Sequence, residues 1–260
     1  MFKVKDIIDI CNAKLIQGDV NLEVNSFCND TRKIKENDCY VAIKGEVFDG
    51  NNFYEDAIKK GAKICILEYV VEGIDKYKDI TFLVVENSIK CLQDLAKYKR
   101  SKFKGKVIAI TGSVGKTSTK DMVYSVVSTE YNTLRNLGNF NNHLGLPLTI
   151  LSHKDEEVMI LEMGMNNLGE ISLLTDIAKP DIAIITNIGT AHIGNLGSRE
   201  NILKAKLEIL EGLKENGKLI INNDNDMLHK YYVNNKKDFI ITCGIENESN
   251  YVANNIEYND

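Results

Sequence analysis

The chain has 260 residues, enough for one large domain or two ordinary ones with a well-buried core. Hydrophobic residues at 43% and charged residues at 27% are a soluble globular balance and exclude a disordered chain. The formal net charge of -5 lacks the positive field that nucleic acid or an anionic membrane requires, so a small-molecule partner is expected.

In chain order, the opening MFKVKDIIDICNAKL carries acids inside its apolar stretch and lacks the h-region of a secretion signal. No run approaches the roughly 18 apolar residues of a membrane span, so a cytoplasmic protein is expected. Val4 to Cys11 predicts a short helix, CYVAI, KICILE and TFLVVE read as strands, and KGEVFDGNNF is a loop rich in Gly and Asn. Residues 1–86 therefore predict a small N-terminal α/β or α+β domain. From Ser88 to Phe103, Ile89, Leu92, Leu95, Ala96 and Phe103 recur at helical spacing behind a serine cap, which makes 87–105 a connecting helix. Cys11, Cys28, Cys39, Cys65, Cys91 and Cys243 show no C-x-x-C spacing and read as free thiols of a reducing compartment.

From Lys106 onward, KVIAITG, EVMILEMG, DIAIITNIG, GKLIINND and DFIITCG are short aliphatic runs of the kind that form strands covered on both faces. Helix-like stretches at 116–128, 143–151, 168–178, 198–213 and 226–233 alternate with them. This alternation predicts an α/β domain over 106–260 with a mostly parallel sheet, its ligands lying beyond the carboxyl ends of the strands. Tyr251 to Tyr258 reads as a strand just begun, so the sheet is expected to be incomplete at its end.

Thr111 to Lys120 spells TGSVGKTSTK. The usual phosphate loop, G-x-x-x-x-G-K-[ST], places a glycine where Ile110 stands here. The setting fits nonetheless: a strand, a turn from Gly112 to Gly115, then a helix opening at Lys116, so that N–H groups and the helix dipole converge on an anion. Lys116 would neutralise β- and γ-phosphate charge, and the Thr117 hydroxyl would ligate Mg2+. The competing reading is an ordinary glycine turn.

Three further positions stand out. Glu162 ends VMILE, where a carboxylate is costly unless it faces a cleft or a cation, and a Mg2+ ligand is the natural proposal. His192, in the glycine-rich GTAHIGNLGS at the same sheet edge, is a candidate metal ligand or phosphate contact. In SRENILKAKLEILEGL, Ile202, Ile209, Leu210 and Leu213 form a stripe of helical period with Lys206 in its middle, while Lys204, Glu208 and Glu211 are expected on the solvated face. Lys206 either snorkels its ammonium to water or is held in a cleft where a lowered pKa makes it reactive, and periodicity does not separate the two.

Together these segments resemble the Mur ligase superfamily, ATP-dependent amide-forming enzymes of peptidoglycan synthesis. Thr111 to Ser118 matches that family's short loop T-G-[ST]-x-G-K-T-[ST]. NFNNHLGLPLT, LEMGMNNLGEI, TNIGTAHIGNLGS, AKLEI and INNDND match in order and spacing. The form EMGMNNLGEI is similar to the branch that joins D-alanyl-D-alanine to UDP-N-acetylmuramoyl-tripeptide. Asn51 departs from that branch, which usually has histidine there, and Glu36-Asn37 replaces a common Pro-Gly.

The resemblance implies site roles. Gly112, Ser113, Val114, Gly115, Lys116, Thr117 and Ser118 would hold ATP phosphates, with Asn141 and Asn142 near the nucleotide. Thr117 and Glu162 would bind one Mg2+, and His192 with Glu162 a second. Lys206 would be carbamylated by CO2 and order that metal region. Thr31, Arg32, Lys44, Asp49 and Gly50 would face the UDP-sugar. Catalysis would rest on Lys116, His192 and Lys206, in a monomer. The family's third, C-terminal domain is expected to be absent, leaving little ligase turnover. The rival readings are a Mur ligase adding a single amino acid, a folylpolyglutamate synthetase, and an ATP- and UDP-sugar-binding fragment without catalysis.

Overall fold

A computed structural model describes residues 2–257. The chain forms two compact units, Met1–Lys102 with Pro147–Ser152, and Phe103–Leu146 with His153–Asp260. The division thus falls inside the stretch 87–105.

The first unit contains β1 (Phe2–Lys3), α1 (Val4–Cys11), β2 (Lys14–Gln17), β3 (Glu23–Val24), β4 (Phe27–Cys28) and β5 (Cys39–Val41). It continues with α2 (Tyr54–Lys59), β6 (Ile64–Leu67), β7 (Thr81–Val84) and α3 (Ser88–Lys102). Its main sheet runs β2-β7-β6-β5-β4, parallel except for the antiparallel pairing of β2 with β7. CYVAI, KICILE and TFLVVE become the central strands because every residue of β6 is buried, and a continuous apolar run suits a strand covered on both faces. Tyr40, Ala42, Tyr54, Ala57, Leu67 and Phe82 build one core of this unit. The edge strands β2 and β4, absent from the sequence reading, have only half-buried or exposed residues and little apolar signal.

In the second unit, β8 (Lys106–Thr111) leads into α4 (Lys116–Val127), β9 (Thr133–Arg135) and β10 (Val158–Glu162); α5 (Gly145–Ser152) falls between β9 and β10 in sequence, but its residues from Pro147 on group with the first unit. Then follow α6 (Glu170–Ala178), β11 (Ile182–Ile185), α7 (Ile193–Leu196), α8 (Arg199–Leu207), β12 (Lys218–Asn222), α9 (Asp226–Asn234), β13 (Ile240–Gly244) and β14 (Tyr251–Val252). The seven strands run β14-β13-β12-β11-β8-β10-β9, and every pairing is parallel. Successive strands are added on one side of β8, through β9 and β10, and then on the other, through β11. The order therefore switches at β8, and such a switch opens a crevice at the carboxyl edge where the next loop leaves the sheet.

Two expectations change here. Strand pairing beyond Gly244 stops at Val252, where Gly244 pairs with Val252; the stretch to Glu257 is not strand, and Tyr258 lies outside the described residues. The helix expected over 198–213 ends at Leu207 and tightens into a single 3-10 turn at Glu208–Leu210. Glu208 is not on a solvated face: it is buried, with one carboxylate oxygen accepting from Gly169 N at 2.8 Å and the other from Ser172 N at 3.1 Å. It satisfies first-turn N–H groups of α6, a helix whose Gly169 cap has no side chain to do so.

Candidate functional site

Strand β8 is buried from Val107 to Thr111, and the chain then bends after Gly112. A Cβ on Gly112 would lie 1.8 Å from Thr186 Oγ1, so only glycine lets the loop close down on the end of β11. Thr186 Oγ1 donates to Val114 O at 2.6 Å, Asn187 O accepts from Ser113 N at 3.1 Å, and Asn187 Oδ1 from Val114 N at 3.1 Å. Gly189 N donates to Ser113 Oγ at 2.9 Å, completing a clasp from the neighbouring strand's loop. Gly115, at φ 78, caps α4 in the left-handed region with open space where a Cβ would stand.

Beyond that clasp the loop is free. Among the described residues, no acceptor is bonded to the N–H groups of Gly115, Lys116, Thr117 or Ser118, and the first turn of α4 points its dipole into the same space. Val114, Thr117 and Ser118 are exposed there. Position 110, where the usual pattern has glycine, holds a buried strand residue, Ile110, paired with Glu162, and the glycine turn begins two residues later.

Lys116 curls over the turn, donating from Nζ to Gly112 O at 2.8 Å. Burial lowers its pKa, partly offset by the Glu162 charge. Lys206, on the last turn of α8, is only 2% exposed and pointed inward, which excludes the snorkelling alternative. Burial and the nearby Lys116 charge push its pKa down to about 7. Among the described residues its ammonium makes no hydrogen bond or ion pair. The charge acting on Lys206 is the Lys116 cation, an arrangement that favours an incoming negative group.

Glu162 ends β10 at the adjacent edge with 2% exposure. Its Oε2 accepts from Thr117 Oγ1 at 2.9 Å, and its Oε1 from Asn141 Nδ2 at 2.9 Å. Lys120, one helical turn after the half-buried Lys116 and itself only 2% exposed, sets its Nζ 3.6 Å from Glu162 Oε2. Sequence periodicity missed Lys120, because a lysine four residues after another on an N-terminal turn looks like a solvated face. The apolar face of α4 is Val123, Tyr124 and Val127, whereas Met122 and Val126 are exposed. Asn136 supports the same edge: its Nδ2 donates to Glu162 O and its Oδ1 accepts from Glu162 N, both at 2.9 Å.

The other candidates are placed differently. His192 is exposed, sits in the left-handed region at φ 63 and opens α7. Neither it nor Lys206 is hydrogen-bonded to Glu162, and among the described residues no group of three His, Cys, Asp or Glu side chains is assembled for a metal. Asn142 spends its Oδ1 on Leu144 N and Gly145 N at the start of α5, while Asn141 alone reaches Glu162.

In the first unit, Lys44 and Asp49 form an isolated antiparallel bridge around the loop GEVF. Asp49 Oδ1 accepts from Asn51 N at 2.9 Å and Asn51 Nδ2 at 2.6 Å, and its Oδ2 from Tyr69 Oη at 2.9 Å. Gly50 lies against the backbone of Ile43, where a Cβ would come within 2.6 Å. Asn51 is wholly buried and also accepts from Glu68 N at 2.8 Å, so its short amide ties this loop to the end of β6. Thr31 begins a 3-10 turn, and the exposed Arg32 pairs with Asp30 at 2.9 Å.

A parallel α/β sheet with a glycine loop at its switch point and a hydroxyl–carboxylate pair beside it defines the class, a P-loop α/β protein. Within that class the chain belongs to the Mur ligase family. The profile of the Mur ligase middle domain matches residues 110–260, and that of the Mur ligase family catalytic domain matches 23–100. The UDP-N-acetylmuramoyl-tripeptide–D-alanyl-D-alanine ligase of Bacillus subtilis is 41% identical over 231 residues, covering 88% of this chain and 50% of the relative. Its Escherichia coli counterpart is 35% identical over 224 residues, 86% of this chain and 48% of the relative. The crystal structure of MurF from Acinetobacter baumannii superposes with a TM-score of 0.84 at 32% identity, covering 94% of this chain and 53% of that one. The MurF ligase of Thermotoga maritima, solved in complex with ADP, gives 0.74 at 35% identity, covering 85% and 51%. The chain thus spans about half the length of the relatives it matches.

Proposed function

We propose that this chain carries the UDP-sugar-binding and ATP-binding parts of an enzyme joining D-alanyl-D-alanine to UDP-N-acetylmuramoyl-tripeptide in cytoplasmic peptidoglycan precursor synthesis. The observation that carries the reading is the pair of desolvated lysines, Lys116 and Lys206, beside the free N–H groups that open α4. The 41% identity to the Bacillus subtilis UDP-N-acetylmuramoyl-tripeptide–D-alanyl-D-alanine ligase supports these substrates. Residues 106–260 would take ATP, and the loop region of Thr31, Arg32, Lys44, Asp49 and Gly50 the UDP-sugar.

ATP's γ-phosphoryl passes to the terminal carboxylate of the muramoyl peptide, giving ADP and an acyl phosphate. The amine of D-alanyl-D-alanine then attacks the acyl carbon, the C–O bond to phosphate breaks, and an amide and inorganic phosphate result. Both partners of the first step are anions, so the requirement is charge neutralisation and alignment rather than a protein nucleophile. The N–H groups of Gly115 to Ser118 hold phosphate oxygens, and Lys116 swings from Gly112 O to the β- and γ-phosphates. The oxygen donors of Thr117 and Glu162 suit Mg2+, a hard cation that prefers oxygen and keeps several waters. Held by Thr117 and Glu162, Mg2+ would supply positive charge that offsets the negative charge growing in transfer. His192, exposed at the start of α7, would be a candidate ligand for a second ion. A neutral Lys206 amine can attack CO2, forming an N–C bond as one C–O π pair moves to oxygen, and then lose a proton; the resulting carbamate would place an anion near Lys116.

The test is calorimetric titration of the chain with ADP, ATP and UDP-N-acetylmuramoyl-tripeptide separately, followed by an ADP-release assay with and without D-alanyl-D-alanine. Saturable binding of both nucleotide and UDP-sugar peptide is expected. Failure to bind either one would refute the assignment, and D-alanyl-D-alanine-dependent ADP release separates a ligase from a binding module.

A further inference from the structure

The six cysteines are free thiols, and two of them, 80 positions apart, meet side by side. Cys11, the last residue of α1, and Cys91, in the first turn of α3, bring their Sγ atoms to 2.8 Å. Cys11 Sγ also lies 3.5 Å from Cys91 O. Both helices belong to the first unit, where α1 packs along α3. No other two cysteine sulfurs among the described residues touch; Cys39 and Cys65 are fully buried in the sheet.

We propose that Cys11 and Cys91 are a redox-modification site, closing reversibly into a disulfide that staples α1 to α3. A disulfide needs about 2.05 Å between sulfurs, so closure requires a displacement of less than about 1 Å. Access is asymmetric, which suits a two-step oxidation that starts at one thiol. Cys11 is half-exposed, whereas Cys91 is 2% exposed. The Cys11 contact, followed by burial, raises the Cys91 pKa, so Cys91 stays a thiol until its partner reacts.

With hydrogen peroxide as the oxidant, the Cys11 thiolate attacks one oxygen, the O–O bond breaks, and the departing hydroxide takes a proton to become water. Cys11 is then a sulfenic acid. The Cys91 sulfur attacks it, the S–O bond breaks, and a second water leaves with the Cys91 proton. Two thiols have lost two electrons and peroxide has gained them. A low-molecular-weight or protein dithiol reverses the bond by exchange. The crosslink closes a loop of about 80 residues, and in the chain-entropy account long loops gain most.

The experiment uses the full chain, fully reduced and desalted, then treated with stoichiometric hydrogen peroxide and digested without reductant. Mass mapping is expected to show a peptide pair joined through Cys11 and Cys91, lighter by two hydrogens and released by dithiothreitol. Thermal unfolding should rise by roughly 5 °C or more on oxidation. Cys11→Ser and Cys91→Ala should each abolish both the linked pair and the shift; alanine is chosen so that no hydroxyl is buried at position 91. Should Cys91→Ala fail to fold, mapping of the unaltered chain decides by itself. The proposal is overturned if Cys11 ends as sulfinic acid with Cys91 reduced, if either pairs with another cysteine, or if the linkage forms only between chains. A linked pair with an unchanged or lower melting temperature overturns the staple.

Discussion

Thr117 Oγ1 donates to Glu162 Oε2 at 2.9 Å, joining the first turn of α4 to the last residue of β10 across 45 positions of sequence. The contact holds a hydroxyl and a carboxylate at the edge where the sheet's order reverses, the pair of oxygen types that Mg2+ takes beside a phosphate. Lys120, 3.6 Å away, and Asn141 fix the carboxylate from its other sides.

Glu162→Gln tests that arrangement. The amide keeps the shape and loses the charge, so the gain in ADP affinity that Mg2+ supplies should fall by about tenfold or more, while binding without Mg2+ changes little. Titrations of ADP with and without Mg2+ measure both. An undiminished Mg2+ effect would remove Glu162 from the metal site.

Lys116→Ala should weaken ATP binding by roughly 10- to 100-fold, since a charge-assisted contact in a partly buried site is worth about 1.5–3 kcal/mol. The melting temperature should hold or rise slightly, because a desolvated cation near Lys206 is removed. Unchanged nucleotide affinity would sink the phosphate-binding assignment.

Lys206 makes stability depend on pH. Its folded pKa, about 7, lies below the ordinary lysine value of 10.5, so between the two the unfolded chain binds the extra proton and stability rises with pH. The cost of burying the charge is absent above the upper value, grows as pH falls, and is complete below the lower one. Lys206→Met should therefore exceed the unaltered chain in urea midpoint near pH 7 and lose that margin by about pH 10. A margin constant across this range would contradict a buried, titrating Lys206. Incubation with 13C-bicarbonate should add a carbamate carbon signal that Lys206→Met lacks; its absence would count against carbamylation.

Glu208→Ala strands Gly169 N and Ser172 N at the start of α6. A loss of about 1–3 kcal/mol is expected from chemical denaturation, the range for a buried cap and its unsatisfied partners. Glu215→Ala, at an exposed position just beyond, should cost less than about 0.5 kcal/mol. Equal effects of the two would deny Glu208 its capping role.

Gly112→Ala and Gly115→Ala separate two reasons for glycine in one loop. At position 112 the new methyl would fall 1.8 Å from Thr186 Oγ1 and break the clasp; at 115 there is space, and only the φ of 78 is unfavourable. The first should destabilise strongly and abolish nucleotide binding. The second should cost about 1–2 kcal/mol and leave binding measurable. Thermal melts and ADP titration read both, and the reverse order would refute the close approach of Gly112.

The sequence by itself determined the parallel α/β plan, the glycine loop between β8 and α4, and Glu162 at a strand end. Those signals are local: an aliphatic run, a turn of small residues and a helix start lie within a dozen positions of one another. It also exposed Lys206 as an anomaly, because one cation on an apolar stripe breaks a period of 3.6. Only the tertiary structure decided which way that anomaly resolves, since burial depends on what packs over α8. The same holds for Lys120 against Glu162, for Glu208 turned inward to cap α6, and for Asn51 bridging Asp49 to Glu68. It holds too for Cys11 beside Cys91. In each case the partner is supplied by strand order and helix packing, often from distant sequence, and residue periodicity carries no information about which distant segment will arrive.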